Sequence, residues 1–270
     1  LMASKNSGRS IMSKVLRVQD LHQSYGAVHA LVGVSFEVAA GQCVALIGPN
    51  GAGKSTCFAC LAGQQTAQKG QVTWRDQFLS GRPANERLAM GVARTFQVAQ
   101  VFEALTVLQN LQLVLQAKHG VSVADVLDQC HVDEAMGWVH KMGLDNLGAQ
   151  ALHLPAQNLS YGAKKRLELA MAMAGLPDSK SGLLLLDEPA AGLSPSERSD
   201  MMRGVKALAA EGTTVLYTEH NMDAVFGVAD RVLVLMNGRL VAEGLPHEVA
   251  ANPLVQERYL GASFAESQNA

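Results

Sequence analysis

Of the chain's 270 residues, 48% are hydrophobic and 17% charged, which excludes a disordered or fibrous chain and leaves apolar mass for one large domain or two. Against 22 basic residues stand 24 acidic ones, a net charge of −2, so no global positive field gathers nucleic acid or anionic lipid and any polyanion must be held locally. The 4 cysteines are too sparse for a secreted disulfide framework, and no apolar run reaches the roughly 18 residues of a membrane span.

In chain order, residues 1–13 are polar and lack the apolar stretch of a secretory signal, so they are expected to fray as a tail. Residues 15–36 have strand character broken at Ser24-Tyr25-Gly26, and a further apolar strand, 43–47, stops at Gly48-Pro49. Lys54–Ala62 holds good helix formers and ends at Gly63, a residue suited to a helix C′ position. Cys57 and Cys60 on this helix form C-x-x-C, but no second Cys or His pair sits at ligand spacing, so buried packing is expected of them. A strand is predicted at 72–74, a short helix at 85–91 and a strand at 92–96. The composition then turns helical from 98 to 175, with helices expected at 107–117, 123–130, 134–142 and 159–174. Strands 183–186, 214–218 and 232–236 lack clean alternation, as strands covered on both faces do, and they alternate with helices at 196–210 and 222–228. The class implied is α/β with a largely parallel sheet and an inserted helical segment.

Gly48-Pro49-Asn50-Gly51-Ala52-Gly53-Lys54-Ser55 matches G-x-x-x-x-G-K-[ST] between a predicted strand and helix, the context that makes the pattern a phosphate loop. Its glycines allow backbone shapes closed to other residues, so that consecutive N–H groups face phosphate oxygens at a helix N-terminus. Lys54 would neutralise the β and γ oxygens, the Ser55 hydroxyl would ligate Mg²⁺, and Thr56 follows in the same first turn. Asp187-Glu188 ends a buried strand, where nucleotide sites of open sheets form; Asp187 would hold Mg²⁺ and Glu188 would polarise the attacking water. Leu159-Ser160-Tyr161-Gly162-Ala163 precedes a helical run, which makes Ser160 and Gly162 a second anion site. One phosphate loop with two anion sites suggests a site split between chains.

At this point the sequence resembles an ATP-binding cassette ATPase, the nucleotide-hydrolysing subunit of an ABC transporter, from Val15 to Gly261. The family's motifs fall in order: an aromatic A-loop at Tyr25, Walker A at 48–55, a Q-loop at Gln97, the signature at 159–163, Walker B at 183–187 followed by Glu188, a D-loop at 191–194 and an H-loop at Thr218-Glu219-His220. The resemblance implies a P-loop NTPase (RecA-like) core with a mostly parallel sheet, an antiparallel β subdomain and a helical subdomain inserted at about 98–175. The ATPase domain would span 14–262, with a second tail at 263–270. It further implies that Tyr25 stacks on adenine, that Gln97 senses the γ-phosphate and Mg²⁺, and that His220 touches the γ-phosphate. Two cassettes, identical or paralogous, would pack head to tail, with Ser160 and Gly162 of one completing the ATP site of the other. Three positions depart from the family pattern: Tyr161 replaces a glycine, Ala163 a glutamine or glutamate, and Ser194 the D-loop aspartate.

The strings Arg94-Thr95-Phe96-Gln97, Leu105-Thr106-Val107, the residues from Leu186 to Leu193 and the tail through Tyr259-Leu260-Gly261 are similar to the bacterial high-affinity branched-chain amino-acid uptake subfamily. That similarity implies inner-membrane permease subunits as partners, a periplasmic solute-binding protein indirectly, and a peripheral place on the cytoplasmic face of the inner membrane. Urea or amide importers and the lipopolysaccharide-export ATPase share several of these strings and remain alternatives. A nucleic-acid machine is disfavoured by the net charge and the single cassette. A regulatory GTPase is disfavoured by the lack of Asn-Lys-x-Asp.

Overall fold

The computed structural model describes residues 14–120, 130–148 and 152–261; the tails expected at 1–13 and 263–270, and all of the helix expected at 123–130 except Cys130, lie outside these. The first two strands, β1 (Lys14–Tyr25) and β2 (Val28–Ala39), form an antiparallel hairpin, and β1 pairs on its other side with β4 (Lys69–Trp74), which pairs with β5 (Gln77–Phe78). This four-stranded antiparallel sheet has order β2-β1-β4-β5.

The second sheet has six strands in the order β10-β9-β3-β8-β7-β6, from β3 (Cys43–Ile47), β6 (Val92–Arg94), β7 (Leu183–Asp187), β8 (Thr214–Thr218), β9 (Arg231–Met236) and β10 (Arg239–Gly244). All neighbours in it are parallel except β10 against β9. Its central strands show why the sequence does not alternate. Cys43, Ala45, Ile47, Leu184, Leu186, Val215 and Tyr217 enter a core on one face, whereas Val44, Leu46, Leu183, Leu185 and Leu216 enter a core on the other. Period-2 geometry persists, but both faces demand apolar side chains, each contributing about 1.5–3 kcal/mol when fully buried.

Helix α1 (Lys54–Ala62) ends at Gly63 in the left-handed region, φ 79°, with its N–H returning to the Ala59 carbonyl. The last carbonyls of α1 are capped from a distance: Arg87, on α2 (Ala84–Ala89) and 3% exposed, donates Nη1 to the carbonyls of Cys60 at 2.5 Å and Leu61 at 2.7 Å. A cation there also meets the negative end of the helix dipole. Cys57 and Cys60 are both buried and unpaired, as packing residues should be.

The helical lobe comprises α3 (Val107–His119), α4 (Val132–Lys141) and α5 (Tyr161–Ala174). Thr106 caps α3 in a reciprocal capping box with Gln109. Leu111, Leu115, Val139, Leu167 and Ala170 fill a third core. Helix α5 serves two cores at once: Leu167, Ala170 and Ala174 face the lobe, while Leu169 and Met173 face the main sheet. Helices α6 (Pro195–Ala210) and α7 (Met222–Val228) complete the layer over that sheet.

Candidate active site

Strand β3 delivers the glycine loop to the carboxyl edge of the main sheet, and α1 leaves from its far end. Two of the three glycines are required by contact as well as by dihedral angle. A Cβ on Gly48 (φ 148°) would stand 2.0 Å from the Leu235 carbonyl oxygen, and one on Gly53 (φ 104°) 2.3 Å from that of Ala30. Gly51 (φ 78°) has open space about it, so its requirement is the left-handed angle alone. Gly53 occupies the N-cap of α1 without a side chain to cap it, and no acidic residue lies in the first turn. The N–H groups of Lys54, Ser55 and Thr56 therefore open onto an uncompensated positive helix end.

Within the loop, Ala52 is buried, Pro49 is half-buried and Asn50 is exposed. The Lys54 ammonium donates to the carbonyls of Gly48 at 2.7 Å and Pro49 at 3.0 Å. Burial holds its pKa below the usual lysine range, against the opposing fields of Glu188 and Asp187. Those fields place the cation and both carboxylates in one electrostatic site.

Asp187 is the last residue of β7, and both its oxygens are engaged. Oδ2 accepts from Arg94 Nη2 at 2.7 Å and Oδ1 accepts from the Thr218 hydroxyl at 2.9 Å. The same hydroxyl accepts the Glu188 N–H at 3.0 Å. Glu188 has φ 48°, an angle that non-glycine residues rarely adopt and that turns its side chain away from the strand direction. Its carboxylate then bridges two further motifs: Gln97 Nε2 donates to Oε2 at 3.0 Å, and His220 Nε2 lies 2.9 Å from Oε1. Two residues distant in sequence thus share one carboxylate.

Tyr25 and Ser160 are placed apart from this cluster. Tyr25 sits beside the β1–β2 turn, 49% exposed, in the hairpin whose Ala30 carbonyl touches Gly53. Ser160 caps α5, its Oγ accepting from the Ala163 N–H at 3.2 Å, and among the described residues it makes no hydrogen bond to the glycine loop. Gly162 is buried against α6, where a Cβ would come within 2.6 Å of Glu197 Oε1.

Sequence reasoning missed the roles of Arg94 and Thr218. Arg94 carries no local signature of this role, since it is the pairing of β6 with β7 that sets it beside Asp187. Thr218 ends β8 in register with Asp187. Buried Glu219, inside the H-loop string, accepts the Ala190 N–H at 2.9 Å and the His220 N–H at 3.1 Å, tying the turn after β7 to the H-loop. Neither sheet order nor register was predicted from the sequence, and both are needed to see these pairs.

The ABC transporter family model matches residues 31–191. The chain belongs to the ABC transporter family. It is 37% identical over 257 residues to the high-affinity branched-chain amino acid transport ATP-binding protein LivG of Salmonella typhimurium, covering 92% of this chain and 98% of that one. Identity to the corresponding BraF protein of Pseudomonas aeruginosa is 34% over 258 residues, with 92% and 98% covered. Similarity extends to the lipopolysaccharide export system ATP-binding protein LptB of Acidithiobacillus ferridurans, 32% identical over 254 residues, with 94% and 99% covered. A nucleotide-free ATP-binding cassette from an ABC transporter superposes with a TM-score of 0.79 at 29% identity, covering 92% of this chain and 100% of that one. An ATP-binding cassette of an ABC transporter in its ADP conformation gives 0.79 at 28%, with 92% and 99% covered. This ABC ATPase accordingly binds and hydrolyses ATP on a P-loop NTPase fold.

Proposed function

We propose that the chain powers import of branched-chain amino acids as the ATPase subunit of an inner-membrane transporter. The observation that carries the hydrolytic part is the Glu188 carboxylate held between Gln97 at 3.0 Å and His220 at 2.9 Å beside the glycine loop. Relatives named for branched-chain transport, LivG and BraF, support the cargo.

In this reading the loop 48–53 and the first turn of α1, with Lys54 and Thr56, hold the phosphates. Glu188 accepts a proton from the attacking water, and His220 and Gln97 fix the carboxylate's orientation. Ser55, exposed in the first turn of α1, Asp187 at the strand end and the Gln97 amide offer the hard oxygen donors that suit Mg²⁺. When bound, that ion supplies charge neutralisation on the phosphates. Tyr25 stacks on adenine, and Ser160 and Gly162 close on the γ-phosphate held by a second cassette.

A groove of about 300 Å³, lined in part by Leu88, Phe96, Gln100, Val114 and Met171, opens beside the Q-loop. Leu88 and Phe96 in its lining are exposed apolar side chains, and Val98 and Phe102 are exposed on the segment that follows the Q-loop, which suits a helix of a permease subunit. No helix among the described residues is long and apolar enough to cross a membrane. In this reading attachment to the cytoplasmic face of the inner membrane runs through that permease, and a periplasmic solute-binding protein would deliver the cargo.

Glu188→Gln is expected to keep ATP binding and lower hydrolysis by roughly 10²–10⁴-fold. Wild-type turnover in that variant would overturn the assignment. For cargo, the chain with its cognate permeases and solute-binding protein in proteoliposomes should hydrolyse ATP faster when leucine, isoleucine or valine is supplied. A second reading, lipid export, has the LptB similarity behind it. Stimulation by lipopolysaccharide instead of amino acid would establish that reading.

A further inference from the structure

Tyr161 and Ser194 depart from the family pattern in two loops that the structure brings together. The ring of Tyr161 packs on the D-loop turn, where a Cβ on Gly192 would come within 3.1 Å of it. Its hydroxyl donates to the Gln97 carbonyl at 3.0 Å. One turn along α5, Lys165 Nζ donates to the Phe96 carbonyl at 2.9 Å, and Glu168 Oε1 accepts the N–H groups of Phe96 at 3.0 Å and Gln100 at 3.1 Å. Positions 161, 165 and 168 share one face of the helix. Lys165 and Glu168 are only 3% and 5% exposed, and ionisable groups are buried at a cost unless they are hydrogen-bonded. Here they are spent on the main chain of one short loop.

Gln97 is consequently held at both ends: its side-chain amide by Glu188, its carbonyl by Tyr161. Tyr161 in turn is the covalent neighbour of Ser160. A glycine at 161 would supply neither the ring against the D-loop nor the hydroxyl for the Q-loop.

We infer that Tyr161 is a positioning residue that joins the Q-loop and D-loop to the signature loop of the same chain. Nucleotide on the chain's own glycine loop is thereby reported to Ser160, the group offered to the neighbouring cassette. The inference rests on the reading of Ser160 given under Proposed function and adds a route between two sites that bypasses the missing D-loop aspartate.

The test is hydrogen exchange by mass spectrometry on the purified full chain with Mg²⁺ and a non-hydrolysable ATP analogue, at a dilution where light scattering shows monomer. In wild type, nucleotide is expected to slow exchange both at 96–100 and at 160–164. Tyr161→Phe should keep nucleotide affinity, melting temperature and the response at 96–100, while the response at 160–164 shrinks about fivefold, the worth of one ordinary hydrogen bond. Glu168→Gln, which keeps an acceptor for both loop amides, should leave the response at 160–164 intact. An undiminished response in Tyr161→Phe overturns the inference, as does an equal loss in Glu168→Gln, which would report general softening. Wild-type chain that binds nucleotide with no change at 160–164 also overturns it. Failure of wild type to bind nucleotide at all would fell the glycine-loop reading as well, and so is distinguishable.

Discussion

Thr218→Val tests the junction between the two acidic residues without altering either of them. The side chain is 1% exposed, its hydroxyl donates to Asp187 Oδ1 at 2.9 Å, and it accepts the Glu188 N–H at 3.0 Å. Valine has nearly the same shape and can do neither. A bond to a charged group contributes about 1.5–3 kcal/mol and an orphaned buried amide costs about 1–3; because they share one oxygen the sum is not additive, and about 3 kcal/mol is expected. In a chain of this size that lowers the melting temperature by roughly 6–12 °C. Thr218→Ser keeps both bonds and loses one methyl group, about 1 kcal/mol and roughly 2–4 °C, and so serves as the shape control. Turnover should fall further than stability suggests, by about 10²-fold, since the left-handed turn at Glu188 then lacks its anchor. Calorimetry and steady-state ATP hydrolysis on the three proteins decide the matter. If the valine variant melts with the serine variant and hydrolyses ATP at the same rate, the hydroxyl does not organise the carboxylates.

Arg87→Met should destabilise the chain by about 2–4 kcal/mol, because the Cys60 and Leu61 carbonyls are left buried without their charged donor; urea unfolding measures it, and a midpoint shift near zero would refute the cap. Burial pushes the Cys43 thiol up to about 12 and the Cys60 thiol up to about 11, and raises that of Cys57 further. Native protein at pH 8 should therefore label rapidly with iodoacetamide only at half-buried Cys130, all four sites reacting once unfolded. Burial also lifts the Glu168 carboxyl above the ordinary range, so the folded state keeps that proton to higher pH than the unfolded chain. This group's contribution is thus intact below the ordinary glutamate pKa and declines as pH rises through it towards the raised value. Glu168→Gln should then be more stable than wild type at pH 7.5 and closely matched at pH 4; an equal offset at both would show that titration is not the cause.

Most of the architecture was legible because the punctuation was strong. Gly48 and Gly63 bracket the loop and helix they were predicted to bracket, and the apolar runs at 43–47, 183–186, 214–218 and 232–236 all fall within main-sheet strands. β10 was not predicted: its apolar residues, Leu240-Val241-Ala242, are only half-covered and make too short a run between exposed Arg239 and Glu243. Of the site, Lys54, Asp187 and Glu188 carry short-range signatures, and the resemblance points to Gln97 and His220, both of which the fold sets against the Glu188 carboxylate. Arg94 and Thr218 were passed over since their work depends on strand order, β6 beside β7 beside β8, which no local pattern encodes. In the sequence Tyr161 is only a departure from a pattern, and the fold alone shows the carbonyl it reaches.

The double allegiance of α5 limits how this protein can be rebuilt. Leu169 and Met173 are mortared into the main body while Leu167 and Ala174 floor the lobe. A lobe cut away at 98–175 would carry off part of the body's own wall, so neither fragment should stand alone. Grafts from other members that exchange α3 and α4 but leave α5 in place are the transplants expected to take.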